Sequence, residues 1–455
     1  MIVRSPWHGR EVGSVAEADE AAMESAIAGA VAIAPVVASM PRHARQRVLR
    51  NTASILGERR ETLARLMVEE SGKPLRFARN EVDRAVSTFS LAADEVTRSA
   101  GEVLPLDVTA AGEGYTAIAT RTPIGVIGAI APFNFPLNLV AHKVAPAIAV
   151  GNPVVLKAPP QAPLTAHELG NIVREAGWPE NALAVLHAPV DVAQRLATDD
   201  RIAMLSFTGS SAVGWYLKSI AGRKRVALEL GGNAAAIVCD DADLAWAARR
   251  CALGAFAQAG QVCIKVQRIY VDAQRYDAFL TLLLDEIERL PAGDPNDEST
   301  IVGPVIDEVS AKRIEAWIAA AVAGGAQRLR GGPRKGTLVP PTLLTDTTAD
   351  MKVECEEIFG PVATIARVSS LDEAIDRTNS TRYGLQAGVF TNDVRAIGKA
   401  FEGLQVGGVI VNDYPTLRID NFPYGGIKES GFGREGVRYA MDEMSELKTL
   451  VVKYR

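Results

Sequence analysis

From Pro153 onward, short apolar runs alternate regularly with segments of helical periodicity. The apolar runs occupy residues 154–157, 182–186, 203–207 and 226–230. The helical segments between them occupy residues 164–176, the vicinity of Val192, and a stretch that begins at Ser210. Consecutive parallel strands need a crossover connection, and a helix is the usual one. The alternation therefore predicts an α/β fold built on a doubly wound parallel sheet.

A second alternating block runs from Ala235 to about Val411 and predicts a second α/β domain. Before both blocks, the chain has a mostly helical pattern up to Ala100, which the Gly-Lys-Pro sequence at residues 72–74 interrupts. No low-complexity tract separates the two α/β blocks. We place the boundary between them near residues 231–232.

The most apolar early stretch, residues 26–40, does not have the features of a membrane span. It is too short to cross a bilayer, contains Pro35, and follows an acidic segment where a signal peptide would have a basic one. Ser14 and Glu17 form a capping-box pattern ahead of it. We therefore predict an amphipathic helix that packs on the protein surface, and no membrane partner.

Length and charge limit the number of domains and the kind of partner. With 455 residues, 48% of them hydrophobic, the chain is long enough for two or three domains with large cores. The formal net charge is −5, and no run of Lys and Arg is interleaved with aromatic residues. We therefore expect no nucleic-acid partner.

The cysteines and histidines suggest neither disulfides nor a metal site. Four cysteines lie far apart without a CxxC pair, and five histidines show no HExxH or similar spacing. Isolated cysteines are typical of proteins in a reducing compartment. We therefore expect a cytoplasmic protein without a bound metal.

Cys263 lies where a predicted helix gives way to a predicted strand. Residues 243–259 have the pattern of an Ala-rich helix, Gly260 ends it, and residues 266–271 have the pattern of a strand. A thiol at such a junction can face a cleft. The alternative is a buried structural cysteine, since free cysteines mostly behave as small apolar residues.

Two glycine-rich sequences are candidates for binding phosphate. Residues 431–436 match GxGxxG, but too little chain follows for a βαβ unit, so we predict a turn before a short helix. Residues 207–214 follow a predicted strand and open a predicted helix, whose N–H groups attract anionic oxygens. Gly209, Ser210 and Gly214 are the candidate contacts there. The alternative is an ordinary N-cap with a helix-packing glycine.

Five stretches resemble conserved motifs of the aldehyde dehydrogenase superfamily. They are PFNFP at 132–136, LELGG at 228–232, GQVCI at 260–264, EEIFGP at 356–361 and PYGGIKESG at 423–431. They occur in the family's order and span nearly the whole chain. The resemblance implies a Rossmann-type cofactor domain, an α/β catalytic domain and a small β extension that packs across subunits.

The resemblance also implies domain limits and an assembly. We expect the cofactor domain at residues 1–103 and 124–231, the catalytic domain at 232–430 and the extension at 104–123 and 440–455. A terminal edge strand, residues 449–453, is open to pairing with another copy. We therefore expect a homodimer or a homotetramer.

By resemblance, Cys263 is a nucleophile that attacks an aldehyde carbon. A hydride then leaves the thiohemiacetal for NAD or NADP, and water releases the thioester as a carboxylate. Asn134 and the backbone N–H of Cys263 match the oxyanion hole, and Glu229 matches the base. An activated thiolate should have a lowered pKa.

The resemblance assigns three residues to the cofactor. Lys157, at the end of a predicted strand, matches the contact to the adenosine ribose, and a solvated surface lysine is the alternative. Glu357 and Phe359 match the group that holds the nicotinamide ribose. Many NAD-preferring members carry a glutamate three positions after the lysine, where this chain has Pro160. Without that carboxylate a 2′-phosphate meets no repulsion, which favours NADP over NAD.

The substrate is less constrained by the sequence. Family members that oxidise phosphorylated aldehydes often have Arg just before the catalytic cysteine, where this chain has Val262. Lys265 and Arg418 lie on segments that border the family's substrate funnel. They favour a small anionic or hydroxylated aldehyde, such as a semialdehyde or a lactaldehyde-like compound. The alternative is that both are solvated surface charges.

Two other functions stay open. A coenzyme A-acylating aldehyde dehydrogenase shares the fold but typically lacks a base at the position of Glu229, so Glu229 favours hydrolysis. A catalytically inactive structural or binding protein of the same fold is the second alternative. The matches at Cys263, Glu229, Asn134 and Glu357 argue against it.

Overall fold

The computed structural model describes residues 1–98 and 101–454. The helical pattern predicted up to Ala100 and the extension predicted up to residue 455 therefore both end outside the described residues. The strands are β1 (Ile2–Arg4), β2 (Glu11–Ser14), β3 (Glu102–Pro105), β4 (Tyr115–Pro123), β5 (Val126–Ile130), β6 (Val154–Lys157), β7 (Leu183–Leu186), β8 (Ile202–Thr208), β9 (Arg225–Glu229), β10 (Ala235–Val238), β11 (Arg268–Asp272), β12 (Gln327–Arg330), β13 (Thr342–Thr345), β14 (Val362–Val368), β15 (Tyr383–Gly384), β16 (Gln386–Phe390), β17 (Gly408–Val411), β18 (Ile427–Lys428), β19 (Gly431–Phe432) and β20 (Ser445–Lys453).

The helices lie mostly between these strands. They are α1 (Glu20–Ser39), α2 (Arg42–Glu58), α3 (Arg60–Ser71), α4 (Leu75–Arg98), α5 (Asn138–Val150), α6 (Pro163–Glu175), α7 (Val190–Ala193), α8 (Arg195–Thr198), α9 (Ser211–Ile220), α10 (Leu244–Phe256), α11 (Tyr276–Glu288), α12 (Glu308–Ala323), α13 (Lys352–Cys355), α14 (Leu371–Asn379), α15 (Val394–Gly403) and α16 (Val437–Glu443). As predicted, residues 72–74 separate two helices, α3 and α4.

The first sheet has six strands in the order β19-β9-β8-β5-β6-β7. All neighbours are parallel except β19, which runs antiparallel to β9. Every residue of β5 and β6 is buried, because helices cover both faces of the sheet. One core contains residues of α2 to α6, and another contains residues of α1 and α8. The predicted doubly wound parallel sheet is confirmed.

The second sheet has seven strands in the order β12-β13-β14-β11-β10-β16-β17. Only the β12–β13 pair is antiparallel. Helices α10 and α11 supply the core on one face, and α14 and α15 supply the core on the other. The second α/β block predicted from the sequence is therefore confirmed as a second, mainly parallel sheet.

The N-terminal segment differs from its prediction. Ser14 belongs to β2, where it pairs with Ile2, so the capping-box interpretation was wrong. The N-cap of α1 is Asp19, whose carboxylate accepts a 2.8 Å hydrogen bond from the Ala22 N–H. The helix thus begins at Glu20, six residues earlier than the apolar stretch suggested.

Helix α1 is long and apolar enough, by length and composition alone, to cross a membrane. In the folded chain, Met23, Ile27 and Ala30 are fully buried on one face of α1. That face packs against β5, β6 and β7 of the first sheet. The apolar character of the helix thus has a packing role within the fold.

The third sheet is antiparallel, in the order β20-β4-β3. Strand β20 pairs with β4 along its whole length, from Ser445 opposite Pro123 to Lys453 opposite Tyr115. It begins four residues before the terminal strand predicted at 449–453. Because it has a neighbour on one side only among the described strands, β20 is an edge strand, and its Leu450 is 59% exposed.

Candidate active site

A cavity of about 360 Å³ opens at the carboxyl edge of the first sheet. Strands β8 and β9 end side by side there, with Thr208 opposite Glu229. The cavity lies between this edge and the segments that carry residues 262–264, 357–359 and 416–424. Eight of the predicted site residues line it: Asn134, Gly209, Ser210, Glu229, Cys263, Glu357, Phe359 and Arg418. Residues from distant parts of the sequence are thus brought together as the motifs implied.

Two predicted cofactor residues lie near this edge but do not line the cavity. Lys157 ends β6, where its Nζ donates a 3.3 Å hydrogen bond to the Ala158 carbonyl, and burial lowers its pKa to about 8. Lys157 is therefore not the solvated lysine of the alternative interpretation. Gly214 lies in α9 against Leu230 and Phe207, which a side chain at this position would strike. Its position matches the helix-packing alternative.

The structure does not place Lys265 at the cavity. The side chain is buried, and its Nζ donates a 2.5 Å hydrogen bond to the carbonyl of Val362, the first residue of β14. Burial lowers the pKa of this amine to about 7. The predicted contact between Lys265 and the substrate is therefore not supported, because the side chain points into the second domain while Cys263 faces the cavity.

A tight turn presents Cys263 to the cavity. Helix α10 ends at Phe256, three residues before the predicted end, because the next residues leave the helical conformation. Gln258 and Ala259 both have a φ of +55°, which is rare outside glycine and is typical of strained functional segments. Gly260 follows with a φ of +63°, where a side chain would strike the Gly360 carbonyl.

The turn is bonded to the loop that carries Asn134. The Asn134 Nδ2 donates a 3.0 Å hydrogen bond to the Gln261 carbonyl, and the Gln258 Nε2 donates a 2.8 Å bond to the Asn134 carbonyl. The Oδ1 of Asn134 is buried without a hydrogen-bond partner among the described residues. These bonds fix the Asn134 amide beside the segment that carries Cys263.

Cys263 is half-buried, and its sulfur lies 3.2 Å from the Tyr424 Oη. Burial raises the pKa of the thiol to about 11, although the hydrogen bond with Tyr424 lowers it. The expected lowered pKa is therefore not found in this structure, because the loss of hydration outweighs the single hydrogen bond. The nearby carboxylates of Glu357 and Glu229 add to the rise.

The cavity that Cys263 lines has a neighbouring cavity. A second cavity of about 220 Å³ adjoins the first and extends along α4 and α10. Five residues line both cavities: Arg84, Phe135, Val262, Thr416 and Arg418.

Glu229 is a buried carboxyl whose Oε2 has no hydrogen-bond partner among the described residues. Burial raises its pKa well above the usual value, and the negative charge of Glu435 raises it further. Lys143 and Arg418 act in the opposite direction without reversing the effect. A carboxylate of this kind binds a proton strongly, which suits a general base.

Glu435 is held by two cations behind the cavity. Its Oε1 lies 3.2 Å from the Lys143 Nζ, and its Oε2 lies 2.9 Å from the Arg418 Nη2. Burial would raise the pKa of Glu435, but Lys143 and Arg418 lower it to about 2. Lys143 also donates a 2.8 Å hydrogen bond to the Thr208 hydroxyl at the end of β8.

Three arginines line the cavity, and two of them, Arg418 and Arg84, are held in ion pairs. Arg418 stacks on the Tyr424 ring at 3.9 Å, and its side chain is only 8% exposed, which excludes a solvated surface charge. Arg84, on α4, bonds Asp420 at 2.6 Å, and Asp420 also lies 2.8 Å from the His142 Nε2. Ion pairs with Glu435 and Asp420 thus fix the two guanidinium groups at the cavity.

Glu357 and Phe359 occupy the opposite wall. The Glu357 Oε1 accepts a 3.1 Å hydrogen bond from the Gly232 N–H, and burial raises the pKa of this carboxyl to about 7. A side chain at Gly231 would strike the same carboxyl. Phe359 has a φ of +47°, and its ring meets Phe133 edge-on at 5.9 Å.

The start of α9 completes the cavity. Ser210 is the N-cap and lines the cavity, and its side chain makes no capping hydrogen bond to the first N–H groups of the helix. A side chain at Gly209 would lie 2.6 Å from the Phe207 ring, so glycine makes room for that ring at the start of the helix. Such a helix start can hold an anionic group.

Three residues of this site were missed by the sequence reasoning. Tyr424 lies in the stretch 423–431, where its place between a proline and two glycines was the available signal. Glu435 lies in the GxGxxG sequence, which precedes the short helix α16 as predicted. Arg84 carried no signal, because on an amphipathic helix it resembles any surface arginine. Among the described residues, no three His, Cys, Asp or Glu side chains form a group that could hold a metal ion.

Comparisons with known proteins agree over nearly the whole chain. A sequence model described as "Aldehyde dehydrogenase family" matches residues 1–450. The chain is 44% identical over 409 residues to the 3-sulfolactaldehyde dehydrogenase of Priestia aryabhattai, an alignment that covers 90% of this chain and 86% of that protein.

Two solved structures superpose closely. One is aldehyde dehydrogenase 21 from Physcomitrella patens in complex with the reaction product succinate, with a TM-score of 0.98, 44% identity, and coverage of 100% of this chain and 95% of that one. The other is glyceraldehyde-3-phosphate dehydrogenase GapN from Methanocaldococcus jannaschii complexed with NADP, with a TM-score of 0.96, 39% identity, and coverage of 100% and 99%.

Proposed function

Because this chain belongs to the aldehyde dehydrogenase family, we propose that it oxidises a small anionic or hydroxylated aldehyde to the carboxylic acid with NAD or NADP. One observation carries the proposal. Cys263, Glu229 and Asn134 line the same cavity as the buried cation of Arg418. A nucleophile, a base, an amide donor and an anion-binding group thus surround one small volume.

The proposed reaction begins at Cys263. Its thiolate attacks the aldehyde carbon, a C–S bond forms, and the carbonyl π electrons move to oxygen. The negative oxygen accepts hydrogen bonds from the Asn134 amide and the Cys263 backbone N–H, which stabilise the charge as it develops. When bound, the nicotinamide accepts the hydride, which leaves a thioester on Cys263.

The thioester then needs water. Glu229 takes a proton from the water, whose oxygen attacks the thioester carbon, and the C–S bond breaks to return the Cys263 thiolate. The raised pKa of Glu229 makes its ionised form a stronger proton acceptor than an ordinary carboxylate. Glu229 thus supports hydrolysis over transfer of the acyl group to coenzyme A. A thioester product that appears only when coenzyme A is supplied would overturn this choice.

The residues present fit a dinucleotide. Glu357 has one oxygen on the Gly232 N–H and lines the cavity, so the carboxylate can also accept bonds from ribose hydroxyls. The start of α9, at Gly209 and Ser210, suits the diphosphate. Lys157, on the same sheet edge, suits the adenosine ribose.

We favour NADP over NAD. The position three residues after Lys157 is Pro160, which offers no carboxylate to repel a 2′-phosphate. Replacing it, Pro160→Glu, should move the ratio of kcat/KM toward NAD, because the new charge repels the phosphate and can accept bonds from both ribose hydroxyls. An unchanged ratio would remove the basis of this preference.

The substrate carries an anionic group in this proposal. Arg418 and Arg84 are two of the three arginines that line the cavity, and the names of two similar proteins agree with an anionic substrate. One acts on 3-sulfolactaldehyde, and a solved neighbour holds succinate as its product. Both compounds carry an anionic group at the end remote from the reacting carbon. Arginine is well suited to such groups because of its planar pair of donors.

An aldehyde panel with both cofactors tests the proposal. We expect kcat/KM to be at least about tenfold higher for an anionic aldehyde, such as succinic semialdehyde, than for a neutral aldehyde of equal length, since hydrogen bonds to charged groups are worth about 1.5–3 kcal/mol. Arg418→Ala should remove that preference. The matched control is Arg250→Ala, because Arg250 also stacks on a tyrosine at 3.9 Å and pairs with an aspartate, Asp413, but lines neither cavity.

Two results would contradict it. No preference in the native chain, or an unchanged preference in Arg418→Ala, would end the anionic-substrate proposal. No oxidation of any aldehyde, together with a Cys263 that reacts with iodoacetamide no faster than a free cysteine, would favour the inactive structural protein.

We further propose a cytoplasmic homodimer or homotetramer with the domain limits predicted from the sequence. All four cysteines are free, which supports a reducing compartment. The β20 edge, with Leu447, Leu450 and Val451 exposed, supports pairing with another copy. Leu450→Lys should lower the mass measured by light scattering, and an unchanged mass would place the interface elsewhere.

A further inference from the structure

Tyr424 places a phenol against the sulfur of Cys263. Its Oη lies 3.2 Å from the Sγ, and the residue is 2% exposed. The ring packs in a small apolar cluster with Val262, Ile264 and Leu385. The phenol oxygen is therefore a polar atom in an apolar wall, and its hydrogen-bond partner is the cysteine.

Both the backbone and the ring of Tyr424 are fixed. Its N–H donates a 2.9 Å hydrogen bond to the Glu435 carbonyl, and its carbonyl accepts a 2.7 Å bond from the Glu435 N–H. The Glu435 carboxylate also holds Arg418, whose guanidinium covers the ring at 3.9 Å. One residue, Glu435, thus positions both the phenol and the cation above it.

The direction of the hydrogen bond follows from the two groups. A thiol ordinarily ionises before a phenol, at about 8.5 against about 10. Burial raises the pKa of both, the bond between them lowers that of Cys263, and the same bond raises that of Tyr424. When the pair carries one negative charge, that charge therefore resides on sulfur and the phenol is the donor. The Arg418 cation over the ring favours a negative charge at this place.

We propose that Tyr424 is a further catalytic residue, whose phenol O–H donates a hydrogen bond to the Cys263 thiolate and increases the ionised fraction of that thiol. The inference rests on the proposed function, because it needs Cys263 as the nucleophile. The bond acts twice. It stabilises the thiolate before attack, and it stabilises the same thiolate when the C–S bond of the thioester breaks.

The oxygen atom of Tyr424 distinguishes this role from simple packing. A phenylalanine would fill the same space in the cluster and accept the same Arg418 stacking. The change Tyr424→Phe therefore removes the donor and leaves the wall. Tyr276→Phe is the matched control, since Tyr276 is buried, lies under Arg367 at 4.0 Å, and has its Oη 3.3 Å from the Thr345 hydroxyl, outside both cavities.

The test is the pH profile of Cys263 alkylation by iodoacetamide in the full chain, followed by mass spectrometry of the Cys263 peptide. In Tyr424→Phe, the profile should move to higher pH, and the rate near pH 8 should fall by about tenfold, as expected for loss of a hydrogen bond to a charged group. The pH dependence of kcat/KM for aldehyde oxidation should move in the same direction. Tyr276→Phe should match the native protein in both.

Two outcomes would overturn the inference. A profile identical to that of the native chain would show that the phenol does not stabilise the thiolate. A rate reduced by the same factor at every pH would show that the oxygen affects only access to the sulfur. Failure of the proposed function differs from both, because the native chain would then oxidise no aldehyde, or Cys263→Ser would keep full activity.

Discussion

The cavity wall and the charged cluster next to it differ in how the buried oxygens of their side chains are paired. In the wall, which we define as Cys263, Glu229 and Asn134, two buried oxygens have no hydrogen-bond partner within the described part of the chain: Asn134 Oδ1 and Glu229 Oε2. In the cluster, which we define as Lys143, Glu435, Arg418, Asp420, His142 and Arg84, both oxygens of each carboxylate are bonded to cations or to histidine. Unpaired buried atoms are costly, so they persist where a ligand can pair them.

The two carboxyls at the boundary show the same difference in their pKa values. Glu229 and Glu435 are close enough to repel each other, yet burial and that repulsion raise the pKa of Glu229, while Lys143 and Arg418 lower that of Glu435 to about 2. One carboxyl is thus suited to exchange a proton and the other to hold a charge. The wall is specialised for chemistry, and the cluster holds Arg418 and Arg84 in place at the cavity.

The largest effect should come from Cys263→Ser. Losing the nucleophile should lower kcat by at least about 10³-fold. The hydroxyl of serine is less acidic than a thiol, so it attacks less readily and leaves less readily. The thermal midpoint should stay close to that of the native chain, since Cys263 belongs to the wall. Cys239→Ser, a half-buried cysteine outside the first cavity, is the control for aldehyde oxidation. Retained activity in Cys263→Ser would show that the wall does not carry the chemistry.

Glu229→Gln should have the next largest effect. Loss of a general base typically lowers the rate by about 10²–10⁴-fold. If the base serves hydrolysis, rapid mixing should show a burst of one reduced cofactor per subunit followed by slow turnover. Stability at pH 8 should be equal or higher, because a buried carboxyl with a raised pKa resists ionisation. Steady turnover without a burst would place the base in an earlier step.

Glu435→Gln should have the opposite effect on stability from Glu229→Gln. Removing the charge leaves Lys143 and Arg418 without their shared partner, which should lower the free energy of unfolding by about 3 kcal/mol. The loss of the like charge should also let Glu229 ionise at lower pH, so the acidic limb of the rate profile should move to lower pH. Urea denaturation and a pH–rate profile measure the two effects. An unchanged stability would contradict the structural role of the cluster.

The smallest effects should be opposite pH dependences of stability. Asp420 has a pKa far below its usual value, since His142 and Arg84 outweigh the effect of burial, so its contribution is present above about pH 4 and is lost as the pH falls. Glu357 has its pKa raised to about 7, so its carboxyl destabilises the fold as the pH rises from about 4 through 7.

Thermal midpoints of two variants between pH 3 and pH 8 check these signs. Asp420→Asn should flatten the acid side by about a few degrees, and Glu357→Gln should flatten the side above pH 5 by a similar amount. Identical slopes in both variants would show that Glu357 and Asp420 do not differ in this respect.

Much of the fold was predictable because it depends on local pattern. The run at residues 154–157 is β6 without change, and the run at 226–230 is shifted by one residue from β9. A fully apolar run between helices has few alternatives to a buried parallel strand. The resemblance to the aldehyde dehydrogenase family is confirmed over residues 1–450. The helix before Cys263 was predicted too long, since Ala and Gln favour helix and nothing in the sequence marks their left-handed turn.

The sequence by itself determined the order of strands and helices and the residue types available for chemistry, because periodicity and motif spacing are local properties of the chain. Tertiary structure decided which of them meet. Lys265 and Arg418 were equal candidates as cations, and only the folded chain turns one toward Val362 and the other into the cavity. Tyr424 lies 161 positions from Cys263 in the sequence, yet their side chains are in contact. Contacts and burial of this kind arise from packing between distant segments, and they also set the pKa values on which the chemistry depends.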